Sequence, residues 1–285
     1  MNWISSLQKA IDYVEEHITE KIDYEKVAKE ACSSAFHFQR IFGIMCGITL
    51  GDYIRMRRLT LAAQEIMNTD KKIIDIALDY GDDSPESFTR AFSKFHGVTP
   101  TEVRSGATIT AFSRLSVKLI LSGGNLMNYR IEKKPAMTLT GHKQHCSGSP
   151  TNPDVKRRET FVHWTTSRCE QRTMKTLREE PNVWYDVYTG FTDEGFDHYI
   201  AVRGTGEKRF GLETVEITES LYAVFETGRQ ESPDDQWLSL MKRIVSEWLP
   251  SSGYALADRP QINLVVMDPD PTKRYMEIWI PIEKE

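Results

Sequence analysis

From the N-terminus to about residue 105, apolar side chains recur every three or four positions. Ile4, Leu7, Ile11, Val14 and Ile18 mark one amphipathic helix, and Tyr24, Val27, Ala28 and Ala31 mark a second. Ser34 is placed to cap a third helix, with Phe38, Ile41, Phe42 and Met45 as its buried stripe and Phe36, Gln39 and Arg40 on a different face. The stretch TLGDYIRMRRLTLAAQEIMN opens with Thr49 and Asp52 at capping-box spacing and reads as a long helix to about Asn68. Ile73, Ile74, Ala77 and Leu78 then predict a short helix and Gly81 a turn. Ser84 caps a further helix with Pro85 at its first position and Phe88, Ala91, Phe92 and Phe95 as its stripe. Thr99, Pro100 and Glu102 start a short closing helix.

The pattern repeats itself. Phe38, Arg40, Phe42, Gly47 and Thr49 recur as Phe88, Arg90, Phe92, Gly97 and Thr99, in the same order and spacing. A short helix, a tight turn and a second helix with a polar outer face is the helix-turn-helix plan, whose second helix enters the major groove. The helix between the two units is about 30 Å long at about 1.5 Å per residue, close to the roughly 34 Å between successive major grooves on one side of DNA. Phe36, Gln39 and Arg40 suit a thymine methyl, an adenine edge and a guanine edge or phosphate. Double-stranded DNA is the partner this predicts.

Between Gly106 and Asn128 the signal weakens, and SGGN at 122–125 marks a flexible boundary. Beyond Tyr129 the period falls to two. TLTGHK, a helix over 160–180, VWYDVYTGF and DHYIAVRG are followed by LYAVFE, a helix over 234–249, QINLVVMD and YMEIWIPI. Strand, helix, strand, strand is written twice. The expected organisation is multidomain: an all-α domain with two helix-turn-helix units over 1–107, a linker over 108–127, and an α+β domain of duplicated βαββ plan over 128–285.

The chain has 285 residues, 40% hydrophobic and 27% charged, which suits two domains with ordinary cores. Its apolar runs are too short to span a bilayer, and MNWISSLQKAIDYVEEH is too charged for a signal peptide. No membrane partner and a cytoplasmic location are expected. Of the four cysteines, none are in C-x-x-C spacing, so reduced thiols are expected. GHKQHC brings His142, His145 and Cys146 together, with Cys169 or His163 as a conceivable further zinc ligand. That spacing reads instead as a solvated loop, so no metal is assigned. A net charge of −5 lacks the basic signature of most nucleic-acid proteins. From Ile73 to Phe95, Arg90 and Lys94 face five acids, Asp75, Asp79, Asp82, Asp83 and Glu86, which predicts a weaker second reading head.

VAKEACSSAFHFQRIFGIMCGITLGDYIRMRRLTLAAQEI and IIDIALDYGDDSPESFTRAFSKFHGVTPTEVR together resemble the two motifs of the AraC/XylS family of transcription regulators. The resemblance implies DNA contacts by Phe36, Gln39 and Arg40 in the first unit and by Pro85, Glu86, Thr89 and Arg90 in the second. The chain departs from the family pattern at Cys32, where the first turn usually has glycine, and at Asp82, where an aromatic usually follows Gly81. EWLPSSGYALADRPQINLVV followed by MEIWIPI resembles the GyrI-like effector-binding domain, and the domain order is that of regulators of the right-origin-binding type. An activator, working with RNA polymerase and binding a small organic effector, is what this implies.

Period-2 alternation in YMEIWIPI puts Tyr275, Glu277 and Trp279 on one strand face and Met276, Ile278 and Ile280 on the other. A carboxylate between aromatics can hold an amphipathic, even cationic, ligand. Trp184, Tyr185, Phe225 and Asn263 are expected to join that site, Asn263 standing where many relatives have glutamate; Tyr222, Trp237 and Trp248 are further wall candidates. Two rival readings are a small-molecule hydrolase and a switch worked by a protein partner. Glu277 or His198 could serve as a lone base, but no nucleophile, base and orienting partner stand out, so no catalytic residue and no cofactor are assigned. No dimerisation stripe stands out, which favours a monomer.

Overall fold

The computed structural model describes residues 3–81, 84–117, 127–147, 168–192, 195–204, 211–229 and 234–284. Its helices begin with α1 (Trp3–Glu16), α2 (Tyr24–Glu30), α3 (Ala35–Cys46), α4 (Leu50–Asn68), α5 (Ile73–Asp79), α6 (Pro85–His96) and α7 (Pro100–Arg104). The chain divides into two units, residues 1–38 with 50–120 and residues 39–49 with 121–285, so the division falls inside α3.

In the first unit α4 is the central element. Leu59, Ala62, Ala63 and Ile66 on one of its faces join Ile76 and Ala77 of α5, Phe88 and Phe92 of α6 and Val103 of α7 in one buried cluster. The 3.6 period of the sequence thus predicts the right stripe on α6. Its boundaries are also chemical. Ser84 accepts from the Ser87 N–H, Gly97 takes the left-handed conformation that ends the helix, and Thr99 and Glu102 close a reciprocal capping box on α7. In the turn between α2 and α3, Cys32 has φ of 52°, a left-handed backbone that suits glycine.

A polar network fixes the other side of α4. The Arg57 guanidinium donates from Nε and Nη2 to the two oxygens of Glu15, both at 2.8 Å, and from Nη1 to the Phe112 carbonyl at 2.7 Å. Tyr53 donates its hydroxyl to Glu15 at 2.6 Å. The chain after α7 is held along this face: the Phe112 N–H donates to Thr60, the Leu115 N–H to Tyr53 and the Val117 N–H to Gln8. Residues 112–117, expected in a linker, are therefore fastened by their backbone to α1 and α4.

The second unit is built on a nine-stranded antiparallel sheet: β1 (Tyr129–Lys134), β2 (Met137–Ser147), β3 (Val183–Thr189), β4 (Gly195–Arg203), β5 (Glu213–Ile217), β6 (Ser220–Glu226), β7 (Tyr254–Leu256), β8 (Gln261–Val266) and β9 (Tyr275–Lys284). The order is β1-β6-β9-β8-β3-β4-β2-β5, with β7 beside β9. With α8 (Arg168–Leu177) and α9 (Asp234–Arg243), this is the duplicated βαββ plan, the repeats meeting where β3 pairs with β8. The expected helix over 160–180 is seen as 168–177, and residues 160–167 lie outside the described residues. The flanking strands exchange places: β1, which precedes the first repeat, pairs with β6 of the second, and β5, which precedes the second, pairs with β2 of the first.

Candidate nucleic-acid and effector sites

On α6 the residues expected to meet DNA are turned outward. Pro85, Glu86, Thr89 and Arg90 are all exposed, opposite the buried Phe88 and Phe92. Thr89 Oγ1 donates back to the Pro85 carbonyl at 2.8 Å, and the Ser84 hydroxyl donates to Glu86 at 2.8 Å. That bond, with the Glu86 backbone N–H, holds the Glu86 carboxyl below its ordinary range. Asp82 and Asp83 lie outside the described residues.

On α3 the picture differs from the sequence expectation. Phe36 and Gln39 are half-buried. Arg40, expected on an outer face, is only 2% exposed. Within the second unit its Nη2 donates to Gln261 Oε1 at 2.7 Å and its guanidinium lies 5.4 Å from the Phe191 ring centroid. Its Nε and Nη1 are buried without a hydrogen-bond partner, and burial lowers its pKa to about 10. Helical periodicity gives the face of α3 but not what covers that face, and here the cover comes from residues far along the chain.

The sheet has two faces, and the strand register assigns every candidate to one of them. Directly paired residues of neighbouring strands point the same way. Glu277 pairs with Leu264, Leu264 with Tyr185, and Tyr185 with Ala201. Tyr185, Val187, Tyr199, Tyr222, Val224, Ile262 and Trp279 accordingly form one buried cluster. Tyr185 and Tyr222 each approach the Trp279 ring with centroids 6.1 Å apart. Tyr275, Glu277 and Trp279 share this face, as the alternation predicts.

Trp184, Phe225 and Asn263 do not. Asn263 pairs with Ile278 and Asp186, Phe225 with Ile278, and Trp184 with Val265, which places all three on the opposite face. There Trp184 packs with Met174 and Leu177 of α8, Phe225 meets Trp248 at 5.0 Å, and Asn263 donates to the Tyr188 hydroxyl at 3.4 Å. The expectation that these three join Glu277 is corrected: they belong to the helix-packed side. Trp237 and Trp248 go with them, since Trp237 stacks on Tyr188. Tyr222, already a wall candidate, and Tyr199 lie on the Glu277 face.

The edge strand β1 supplies charge to the Glu277 face. Arg130 Nη2 donates to Glu277 Oε1 at 2.6 Å, and the Trp279 indole N–H donates to Glu277 Oε2 at 2.8 Å. Glu132 bonds both Arg130 and Lys134. Burial opposes the charge of Arg130, but its bonds to Glu277 and Glu132 outweigh this and its pKa is raised. Lys134 Nζ stands 4.1 Å from the Trp279 ring centroid, and the Arg229 guanidinium 3.8 Å from that of Tyr275. Nothing in single-strand alternation announces these partners, because they come from another strand and a loop.

GHKQHC, read from sequence as a loop, is part of β2; His145 pairs with Asp197 at 3.0 Å, and so does Lys143 at 3.1 Å. Among the described residues no cluster of three or more His, Cys, Asp and Glu side chains could hold a metal ion, and no helix is long and apolar enough to cross a membrane.

Comparison with known proteins identifies both halves of the chain. Residues 27–106 match the model of a helix-turn-helix domain, and residues 127–283 that of the GyrI-like small molecule binding domain. Regulatory protein SoxS of Escherichia coli (strain K12) is 41% identical over 98 residues, 34% of this chain and 92% of SoxS. The HTH-type transcriptional activator AarP of Providencia stuartii is 34% identical over 104 residues, 36% of this chain and 77% of AarP. The uncharacterized HTH-type transcriptional regulator YbfP of Bacillus subtilis (strain 168) is 41% identical over 105 residues, 37% of this chain but 36% of YbfP's own length.

Proposed function

The chain belongs to the AraC/XylS family of DNA-binding transcription regulators and carries a GyrI-like small-molecule-binding domain, and on that premise we propose that it is an effector-responsive activator. It reads a specific DNA site across two adjacent major grooves, α3 and α6 being the reading helices. The observation that carries this is α4, whose 19 residues give a spacer of about 28 Å between the two repeats, close to one turn of DNA. The exposed Pro85, Glu86, Thr89 and Arg90 support it, as do relatives named as a regulatory protein and as an activator. RNA polymerase is the partner an activator needs, and the protein acts as a monomer.

The small amphipathic effector lies on the sheet face that holds Tyr185, Tyr199, Tyr222, Tyr275, Glu277 and Trp279. Helices close the other face, and this one gathers aromatic rings around Glu277, with Glu132 and Glu226 on the neighbouring strands. Footprinting on selected DNA is the test of the first half. Protection of two adjacent major-groove segments is expected; protection confined to half a turn, or no preference over competitor DNA, removes the two-groove reading.

A further inference from the structure

A carboxylate set among aromatic rings is a seat for a cation. In this protein the cations are already there. Glu277 holds Arg130 at 2.6 Å, Trp279 carries Lys134 at 4.1 Å, and Tyr275 carries Arg229 at 3.8 Å. Each of the three residues on the β9 face that could attract a positive ligand is thus engaged by a side chain of the same unit. Two of the three cations come from β1, which reaches this position only because the flanking strands are exchanged between the repeats.

Resting on the effector reading above, we propose that Arg130 and Lys134 are resident cations that determine ligand class, and that the site takes an uncharged aromatic molecule. The argument is one of charge balance. Arg130 and Lys134 are matched by Glu277 and Glu132, and Arg229 by Glu226 at 3.2 Å. An incoming cation meets two positive groups at the positions it would occupy, Lys134 with a side chain 17% exposed beside the 9% exposed Glu277, and Arg130, 42% exposed and so more screened by water. An incoming anion meets Glu277 and Glu132. A neutral ring system meets neither penalty and takes the Trp279 face that Lys134 covers. Lys134, with a flexible stem along the ring, is the part that can swing aside.

The test uses the full chain and two probes of matched shape, acridine, uncharged at pH 8, and the N-methylacridinium cation, titrated by tryptophan fluorescence and calorimetry. Wild type is expected to bind acridine more tightly, by about tenfold. Lys134→Met, which leaves the Arg130–Glu277 pair intact, is expected to improve N-methylacridinium binding several-fold by removing the like charge over Trp279. Arg130→Met with Lys134→Met reverses the preference, and adding Glu277→Gln abolishes the reversal. Thermal melts confirm that each variant is folded. Equal or better binding of the cation by wild type, or no change in Lys134→Met, overturns the assignment of Arg130 and Lys134 and leaves the effector face standing. Binding that is indifferent to Trp279→Ala removes the effector face and this inference with it.

Discussion

Cys32 carries a backbone conformation that an L-residue adopts at a cost of about 1 kcal/mol or more. Glycine pays none of the steric part but loses more freedom on folding, so Cys32→Gly should raise stability by about 0.5–1 kcal/mol in denaturant melts. The sequence marks this position as a departure from the family turn, and the structure gives the reason the family has glycine there. Arg57 is a second case. Its side chain is 10% exposed and that of Glu15 8%, so Arg57→Ala strands a buried carboxylate and should cost about 3–5 kcal/mol. Among the groups of this unit that give stability a pH dependence, two are buried in its interior. His96, buried against the Leu59 carbonyl and the Phe92 ring, has a pKa below its ordinary 6.5 because burial disfavours its charge. The unfolded chain therefore takes that proton first, and stability is undiminished above pH 6.5 and falls as the pH drops below it. Glu15 pulls the same way lower down. Burial raises its pKa, but the bonds from Arg57 and Tyr53 win and hold it below its ordinary 4.5. Its contribution is present above that value and is lost as the pH falls through the folded pKa. Melting temperatures from pH 8 to about pH 2 should show both steps, with His96→Gln flattening the upper one. Neither buried network is legible in the sequence, since Glu15 and Arg57 sit on different helices and only their packing brings them together.

At the scale of elements, the two helices proposed to read DNA are not equivalent. In α6 the contact candidates stand in solvent, while in α3 Arg40 is desolvated with two nitrogens unpaired. Arg40 can meet a phosphate or a guanine edge only by leaving Gln261 and Phe191, and its two unpaired buried nitrogens lower the cost of doing so. Arg40→Ala should weaken specific DNA binding by about 1–3 kcal/mol, and Arg90→Ala by less, because α6 is bordered by acids. Equal losses in quantitative binding curves would contradict the ranking. The strands carry a parallel lesson. Alternation within β9 separates Glu277 and Trp279 from Ile278 and Ile280, which needs nothing beyond local sequence. Which face Asn263, Trp184 and Phe225 share with β9 depends on how β8, β3 and β6 register against it, and a slip of one residue reverses the answer. The element pattern and the duplication were therefore readable, and the membership of the aromatic face was not.

At the scale of the molecule, the carboxylates around the proposed effector face are matched within the unit: Glu277 by Arg130, Glu132 by Lys134, Asp197 by Lys143, Glu180 by Arg203 and Glu226 by Arg229. An uncharged ligand entering such a face displaces no condensed counterions, so its affinity should be nearly flat against ionic strength. DNA binding is the opposite case, each neutralised phosphate releasing counterions into bulk solution. Between roughly 50 and 200 mM salt, a protein neutralising about four phosphates loses on the order of a hundredfold in DNA affinity. Titrating potassium chloride against both equilibria in one preparation should give a steep line for DNA and a level one for the ligand. The two halves of the protein would then be addressed by different properties of the same cell, the first by its ion content and the second by its small aromatic molecules.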